Sequence, residues 1–377
     1  MSDTWADNHH IENNPEYKGL VVNRGVEKLP SVNPDAANRF LRNKKSELNI
    51  EQYVEGILGG NVTILSKAVT LIESSLPKHI NLAQEIILRC LPYSGKSVRV
   101  GITGVPGAGK STFIEALGLN MLKNNSKLAV LAIDPSSKRS KGSILGDKTR
   151  MEQLSAMENA YIRPSPSAGS LGGVARKTRE TIVLCEAAGY ETIFIETVGV
   201  GQSETAVHSM VDFFLLMMIS GAGDELQGIK RGIMEMADGI VINKADGKNI
   251  QKAELARAQY RSALQLFPPA KSGWMPRVET CSSILPAGID TIWDSILEYV
   301  SFTKNNGFFD ENRKEQSRFW MYETIDENLR RSFYQNPNLK EKIKEYENLA
   351  LTEKISSFEA AKKLLDIYFN KSFNNNY

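Results

Sequence analysis

The residues best suited to chemistry form a glycine-rich loop whose spacing is typical of phosphate binding. The loop matches the pattern G-x-x-x-x-G-K-[ST] and its flank through Gly104, Val105, Pro106, Gly107, Ala108, Gly109, Lys110, Ser111 and Thr112. Glycines let backbone N–H groups curl around an oxyanion, and a following helix adds the positive end of its dipole. We expect Lys110 to reach the β- and γ-phosphates of a nucleotide and the Ser111 hydroxyl to hold Mg²⁺.

The segments on either side of this loop supply the context that the motif requires. Residues 97–103 read as a buried strand. Thr112 to Lys123 follows with helical spacing, because Phe113, Leu117 and Met121 fall on one face. The sequence therefore predicts a strand, a phosphate loop and a helix in direct succession.

A second motif indicates which base is bound. The apolar strand 239–243 ends in Asn243, Lys244, Ala245 and Asp246, which match [NT]-K-x-D. A carboxylate at Asp246 can accept hydrogen bonds from N1–H and the exocyclic amine of guanine, and adenine offers neither donor there. The stem of Lys244 would lie along the base plane. The predicted ligands are therefore GTP and GDP.

A third, looser match follows the strand 276–281. Ser282, Ser283 and Ile284 stand where G proteins place a backbone N–H against the guanine oxygen. We expect these three residues to complete the nucleotide site.

Acidic residues at other strand ends could serve the metal. Glu196 closes an apolar strand and is followed by Gly199, a variant of D-x-x-G in which Glu replaces Asp. Glu196 would hold a metal-bound water, and the Gly199 N–H could sense the γ-phosphate. Asp134 closes another strand, with a helix cap or turn acid as its alternative role. Asp147 lies in the polar segment 141–150, either as a switch residue or as a solvated charge.

Composition excludes several functional classes. The 377 residues are 41% hydrophobic and 24% charged, with a net charge of +2, so no broad attraction to nucleic acid is expected. The longest apolar run, 213–219, is too short to span a bilayer, and no membrane partner is expected. Cys90, Cys185 and Cys281 form no C-x-x-C pair, which favours reduced thiols in a cytoplasmic protein.

The pattern along the chain predicts four parts: a polar flexible tail (1–45), an N-terminal helical segment (46–95), the nucleotide domain (96–305) and a C-terminal helical arm (306–377). In the second part, Pro77 opens a helix with Leu82, Ile86, Ile87 and Leu91 on its face. In the arm, Phe319, Tyr322, Ile325 and Leu329 share one face. This apolar face could pack in a dimer or fold back on its own domain.

Strands and helices alternate through the nucleotide domain. The predicted strands are 97–103, 128–134, 160–163, 192–197, 213–219, 239–243 and 276–281. The fold class is therefore α/β: a P-loop GTPase domain with a mainly parallel central sheet flanked by helices, plus N-terminal and C-terminal helical extensions. Ligands bind at the carboxyl ends of parallel strands, which is where every motif lies.

Together these segments resemble the methylmalonyl-CoA mutase-associated GTPases, the MeaB/ArgK type of P-loop GTPases. The resemblance covers roughly residues 50–335. It is carried by segments that occur in the family's order: 105–112, 132–137, 142–151, 196–204 and 223–230.

The resemblance implies a homodimer that chaperones an adenosylcobalamin-dependent acyl-CoA mutase, most simply methylmalonyl-CoA mutase. Nucleotide state would gate cofactor loading and protect the mutase. Carried over, Asp134, Asp147 and Glu196 join Ser111 in the magnesium shell. The loop 221–230 resembles an additional switch, with Lys230 as its charged messenger.

The residue that orients the attacking water is left open by the sequence. Val200 stands where Ras-type enzymes have glutamine, and Gln202 lies two residues further on. Arg139, Lys148 and Arg150 are candidates for a charge that completes the site. We therefore expect slow intrinsic hydrolysis that a partner accelerates.

Three alternatives compete with the chaperone. A metal-insertion GTPase would want a His- or Cys-rich site such as C-x-x-C, which the sequence lacks. A small-metabolite kinase, as an arginine/ornithine transport role would require, needs an acceptor-activating acid, and no candidate stands out. A non-hydrolysing interaction protein would be expected to lose Lys110 or Ser111, and both are present.

Overall fold

The computed structural model describes residues 48–123, 125–134, 151–166, 171–197, 203–221 and 231–373. Its centre is a seven-stranded sheet in the order β3-β2-β4-β1-β5-β6-β7, and all neighbouring strands pair in parallel. The strands are β1 Val98–Gly104, β2 Leu128–Asp134, β3 Ala160–Pro166, β4 Thr192–Thr197, β5 Phe213–Ile219, β6 Gly239–Asn243 and β7 Arg277–Thr280. The predicted α/β class with a parallel sheet is confirmed.

Helices connect the strands and cover the sheet. They are α1 Ile50–Leu58, α2 Val62–Glu73, α3 Pro77–Cys90, α4 Lys110–Leu122, α5 Glu152–Ser155, α6 Leu171–Ala187, α7 Ser203–His208, α8 Arg231–Met236, α9 Ile250–Leu264, α10 Ile289–Asn305, α11 Phe308–Tyr334, α12 Pro337–Leu351 and α13 Ser357–Phe373. Within the described residues, none is long and apolar enough to cross a membrane.

The central strands are apolar because they are covered on both faces. Every residue of β4 and β6 is buried, as are six of the seven in β1 and in β5. Such strands show continuous apolar runs rather than alternation, which is the pattern that the sequence carries. In α4 the predicted face of Phe113, Leu117 and Met121 is buried against this sheet.

The N-terminal helices dock on α6 and the edge of the sheet. Asn49 and Gln52 form a capping box that starts α1. Arg163 on β3 pairs with the Glu73 carboxylate, and the Lys177 amine donates to the Glu73 carbonyl at 2.7 Å. These contacts join the end of α2 to the nucleotide domain.

One predicted helix face is wrong in part. Leu91, expected on the apolar face of α3, lies in a 3₁₀ turn after the helix and is 52% exposed. The buried face of α3 instead runs through Ala83, Ile86 and Cys90. These positions are three and four residues apart, so they keep to one side of the helix, whereas Leu91 lies one position beyond Cys90, where α3 has already ended.

The first side chains of the C-terminal arm bind the segments that lead into β1 and β5. The Arg313 guanidinium donates to both carboxylate oxygens of Asp212, at 2.8 and 2.7 Å, and to the carbonyls of Gly95 and Ser97. Gln316 donates to the Val211 carbonyl at 2.7 Å, and the Trp320 indole to the Ser209 carbonyl at 3.0 Å. Further along α11, the face of Phe319, Tyr322, Ile325 and Leu329 is exposed.

Candidate functional site

The phosphate loop joins β1 to α4, and its glycines have backbone conformations that other residues avoid. Gly104 has φ 149°, and a Cβ there would lie 2.1 Å from the Met217 carbonyl oxygen of β5. Gly107 and Gly109 have φ 77° and 84°. The left-handed conformation at Gly109 places the N-terminus of α4 directly after the loop. The loop therefore combines backbone N–H groups with a helix N-terminus, as anion binding requires.

Lys110 is buried beside the loop that it serves. Its amine donates to the carbonyl oxygens of Gly104 at 3.0 Å and Val105 at 3.3 Å. These bonds keep the positive charge at the mouth of the loop rather than in solvent. A cation in this position suits a nucleotide phosphate.

Ser111 and Glu196 meet at the carboxyl ends of neighbouring strands. The Ser111 hydroxyl donates to Glu196 Oε1 at 2.9 Å, and Glu196 is buried at the end of β4. Beside them, the Thr197 hydroxyl donates to the Thr103 hydroxyl at 2.8 Å, which ties β4 to β1 just below the loop. Hydroxyl and carboxylate oxygens are the ligands that Mg²⁺ prefers, so this pair fits the ion.

Asn243 links the two predicted halves of the nucleotide site. Its Nδ2 donates to the Ala108 carbonyl of the phosphate loop at 2.7 Å. Its Oδ1 accepts from the Ser283 amide at 3.2 Å, the Ser283 hydroxyl at 2.9 Å and the Cys281 thiol at 3.3 Å. Asn243 is only 1% exposed, so each bond is shielded from water. One side chain thus joins the phosphate loop to the loop after β7.

Burial also governs the Cys281 thiol. Removal from water raises its pKa to about 12, so it stays protonated and can donate to Asn243. Cys281 also contributes its backbone, because its carbonyl accepts from the Ala245 amide at 2.9 Å. These contacts hold the end of β6 against the end of β7.

Asp246 lies beside the loop of Ser282 and Ser283. The Ser282 hydroxyl donates to Asp246 Oδ2 at 2.6 Å and accepts from the Leu285 amide at 3.2 Å. A backbone bridge between Ser282 and Ala287 closes this loop. Ile284, at its tip, is 75% exposed. The carboxylate is therefore fixed from one side and remains able to accept further hydrogen bonds.

Lys244, which lies between Asn243 and Asp246, has an unusual backbone conformation. Its φ is 61°, in the left-handed region that residues with a Cβ rarely occupy. The Asn249 side-chain amide donates to the Lys244 carbonyl at 2.7 Å, and the Asn249 backbone N–H donates to the Asp246 carbonyl at 2.9 Å.

Several predicted site residues lie outside the described part of the chain. These are Asp147, Gly199 and Lys230, together with Arg139, Lys148, Arg150, Val200 and Gln202. Asp134 ends β2 in the sheet, next to β4, but its side chain lies outside the description. The predicted residues that are brought together are those of the phosphate loop, Glu196, the motif at 243–246, and Ser282 with Ser283.

Sequence reasoning missed three features of this site. It did not identify the thiol of Cys281 or the amide of Asn249 as part of the site, and it did not anticipate the bond from Asn243 to Ala108. Only Asn249 left a signal, since an asparagine three residues after Asp246 is suited to bonding a nearby turn.

The family model for the methylmalonyl-CoA mutase-associated GTPase MeaB matches residues 65–338. The chain belongs to this family.

Relatives agree with the assignment across most of the chain. A Mycobacterium tuberculosis protein named Probable GTPase Rv1496 is 45% identical over 318 residues, which are 84% of this chain and 95% of that protein. The Escherichia coli protein named GTPase ArgK is 45% identical over 291 residues, 77% and 88% of the two chains. The mouse protein named methylmalonic aciduria type A homolog, mitochondrial, is 44% identical over 334 residues, 86% and 80%.

A solved structure matches the fold as well. The crystal structure of a LAO/AO transport system kinase has 36% identity and a TM-score of 0.69, and the match covers 86% of this chain and 99% of that one. As a MeaB-family protein, this chain is a GTPase and binds guanine nucleotide.

Proposed function

We propose that this protein is a Mg²⁺-dependent GTPase that acts as a G-protein chaperone for an adenosylcobalamin-dependent acyl-CoA mutase, with methylmalonyl-CoA mutase as the first candidate. In this proposal nucleotide state gates loading of the mutase cofactor and protects the mutase. The observation that carries the nucleotide part is the Asn243 link, because it holds a phosphate loop and a guanine-type motif in one rigid site.

The proposed nucleotide contacts follow from the positions of these groups. Loop N–H groups between Gly104 and Thr112, with Lys110, would bind the phosphates. Asp246 would accept from the guanine N1–H and amine, with the Lys244 stem against the base. The loop of Ser282, Ser283 and Ile284 would approach the guanine oxygen. Because Ser282 already donates to one Asp246 oxygen at 2.6 Å, the carboxylate is oriented before the base arrives.

The proposed metal site uses Ser111 and Glu196, with Asp134 and Asp147 completing it. The pairing of the Ser111 hydroxyl with the buried Glu196 carboxylate supports this assignment. When bound, Mg²⁺ supplies positive charge that neutralises the phosphate oxygens during phosphoryl transfer. Lys110 adds a second positive charge on the same side. Gly199 and Lys230 would report nucleotide state to the partner, as the family resemblance suggests.

The partner assignment rests on names in the family. The family model is described as mutase-associated, and the mouse relative is named after methylmalonic aciduria. The homodimer is supported by the exposed apolar face of α11, where Phe319, Tyr322, Ile325 and Leu329 are each 45–58% exposed. We place the protein in the cytoplasm, which agrees with three buried thiols that form no disulfide.

The test is GTP hydrolysis by the purified protein with and without methylmalonyl-CoA mutase, with ATP as the control nucleotide. We expect slow turnover of GTP alone and a marked rise with the mutase, since completing a site of this kind raises turnover by about 10³-fold or more. A Lys110→Ala variant should abolish both rates. Unchanged turnover with the mutase, at a retained preference for GTP, would remove this mutase as the partner.

A transport-related kinase is the second candidate, because the matched solved structure is described as a LAO/AO transport system kinase. A kinase would transfer the γ-phosphate to arginine or ornithine instead of water. Product analysis of the same reactions with arginine or ornithine added distinguishes the two activities: free phosphate as the only product supports GTP hydrolysis, and a phosphorylated amino acid supports the kinase.

A further inference from the structure

The turn that carries Lys244 and Asp246 has an energetic cost. Lys244 has a long side chain and yet takes φ 61°, a conformation that is common for glycine, occasional for asparagine and aspartate, and unfavourable for lysine. Such conformations persist only where surrounding contacts enforce them, and they concentrate at functional sites. Some contact must therefore hold this residue in place.

Asn249 makes that contact. Its side-chain amide donates to the Lys244 carbonyl at 2.7 Å, and its backbone N–H donates to the Asp246 carbonyl at 2.9 Å. One residue thus fixes the carbonyl groups of both proposed base-contacting positions. Between Asp246 and Asn249, Gly247 adds a further left-handed residue with φ 50°.

The Asn249 side chain serves the turn before it and not the helix after it. Asn249 ends a 3₁₀ turn that leads into α9, and its backbone angles of φ -95° and ψ -8° are helical, whereas a capping asparagine has extended angles. Asn249 makes no side-chain capping bond. Asn61 and Asn336, the N-cap residues of α2 and α12, do cap their helices. The Asn249 side chain instead points back five residues along the chain, to Lys244.

We propose that Asn249 is a positioning residue for guanine recognition. It holds Lys244 in the left-handed conformation and thereby aims the Lys244 stem and the Asp246 carboxylate at the base. The inference rests on the proposed guanine contacts of Lys244 and Asp246. It adds a determinant of base specificity outside the [NT]-K-x-D motif.

The experiment compares GTP with inosine triphosphate, which lacks the exocyclic amine that Asp246 would accept from. In an Asn249→Ala variant we expect the KM for GTP to rise about three-fold, since one exposed hydrogen bond is lost, with kcat nearly unchanged. The KM for inosine triphosphate should rise less, because that base makes fewer bonds to Asp246. The preference for GTP therefore narrows.

Two further variants separate positioning from folding. Asn249→Asp keeps the side-chain size but removes the donor to Lys244, so it should behave like Asn249→Ala. Asn61→Ala removes a capping asparagine far from the turn, so it should lower the melting temperature without changing the preference for GTP. If either Asn249 variant fails to fold, the other still reports the preference.

A double-mutant cycle tests the backbone argument itself. Glycine takes φ 61° without penalty, so Asn249→Ala should have a smaller effect on the GTP preference in a Lys244→Gly background than in the natural chain. Equal effects in both backgrounds would overturn the proposed mechanism.

The measurements separate a failure of the proposed guanine site from a failure of the role assigned to Asn249. A natural chain that does not prefer GTP to ATP contradicts the proposed guanine site. A natural chain that prefers GTP, together with Asn249 variants that lower only the melting temperature, contradicts the role of Asn249 alone.

Discussion

The bond from Asn243 to Ala108 allows the sharpest perturbation of this site. In Asn243→Asp, one carboxyl oxygen keeps the acceptor position used by Ser283 and Cys281, while the other replaces the Nδ2 donor. That second oxygen would face the Ala108 carbonyl oxygen at about 2.7 Å, the present donor–acceptor distance. The substitution thus converts one attraction to the phosphate loop into a repulsion and keeps the guanine-side contacts.

The magnitude follows from the burial of both partners. Asn243 is 1% exposed and Ala108 is fully buried, so water cannot replace the lost bond. Losing the bond removes about 1 kcal/mol, and leaving two buried acceptors face to face adds about 1–3 kcal/mol. We expect the free energy of unfolding to fall by about 3 kcal/mol. Because the repulsion displaces the loop, affinity for GDP should fall by about ten-fold or more.

The assay pairs denaturant unfolding with titration of GDP, at pH 5.5 and pH 8. A protonated carboxyl can donate to Ala108 again, so both losses should shrink at the lower pH in Asn243→Asp. Asn243→Ala has no such proton and should show no recovery. If the free energy of unfolding falls by the expected amount while the affinity for GDP is unchanged, the idea that Asn243 positions the phosphate loop is refuted.

Three further predictions concern folding. Gly104→Ala should prevent stable folding, because its Cβ would lie 2.1 Å from a carbonyl oxygen of β5. The Cβ of Gly107→Ala meets nothing within 4 Å, so this substitution should cost only about 1 kcal/mol of backbone strain. Thermal melting of the two variants compares these losses. Burial raises the pKa of Asp238 to about 7, so the unfolded chain loses this proton near pH 4 while the folded chain keeps it to near pH 7, and stability falls as pH rises through that window. The free energy of unfolding of Asp238→Asn, measured in urea relative to that of the natural chain, should therefore rise by roughly 2–4 kcal/mol between pH 4 and pH 8. The same stability difference between the two proteins at both pH values would contradict this. Arg313→Ala should destabilise the protein by about 3–5 kcal/mol, because it strips the buried Asp212 carboxylate of its ion pair, and adding Asp212→Asn should recover part of the loss.

Much of this molecule was predictable because the decisive patterns are local. Lys110 and Ser111 are recognisable from eight consecutive residues, and buried parallel strands have continuous apolar runs. Once the sheet is parallel, its strand ends must gather at one edge, so the meeting of Ser111 with Glu196, 85 positions away, follows from topology.

The parts that escaped prediction depend on distant contacts or on backbone angles. Asn243 and Ala108 are 135 positions apart, and their bond depends on how two loops approach. The left-handed conformation of Lys244 carries no sequence signal, because lysine gives no indication of positive φ. Leu91 was misplaced since periodicity does not show where a helix ends.

The junction at the start of α11 bears on where this protein can be cut. By sequence pattern the nucleotide domain ends near residue 305, but a truncation there would remove Arg313, Gln316 and Trp320. The carboxylate of Asp212 and the carbonyl groups that these side chains bond would then be left at a freshly opened surface. The first four turns of the arm therefore belong physically to the nucleotide domain. A shortened protein that retains α11 through Trp320 should preserve the fold while removing Tyr322, Ile325 and Leu329 from the exposed apolar face.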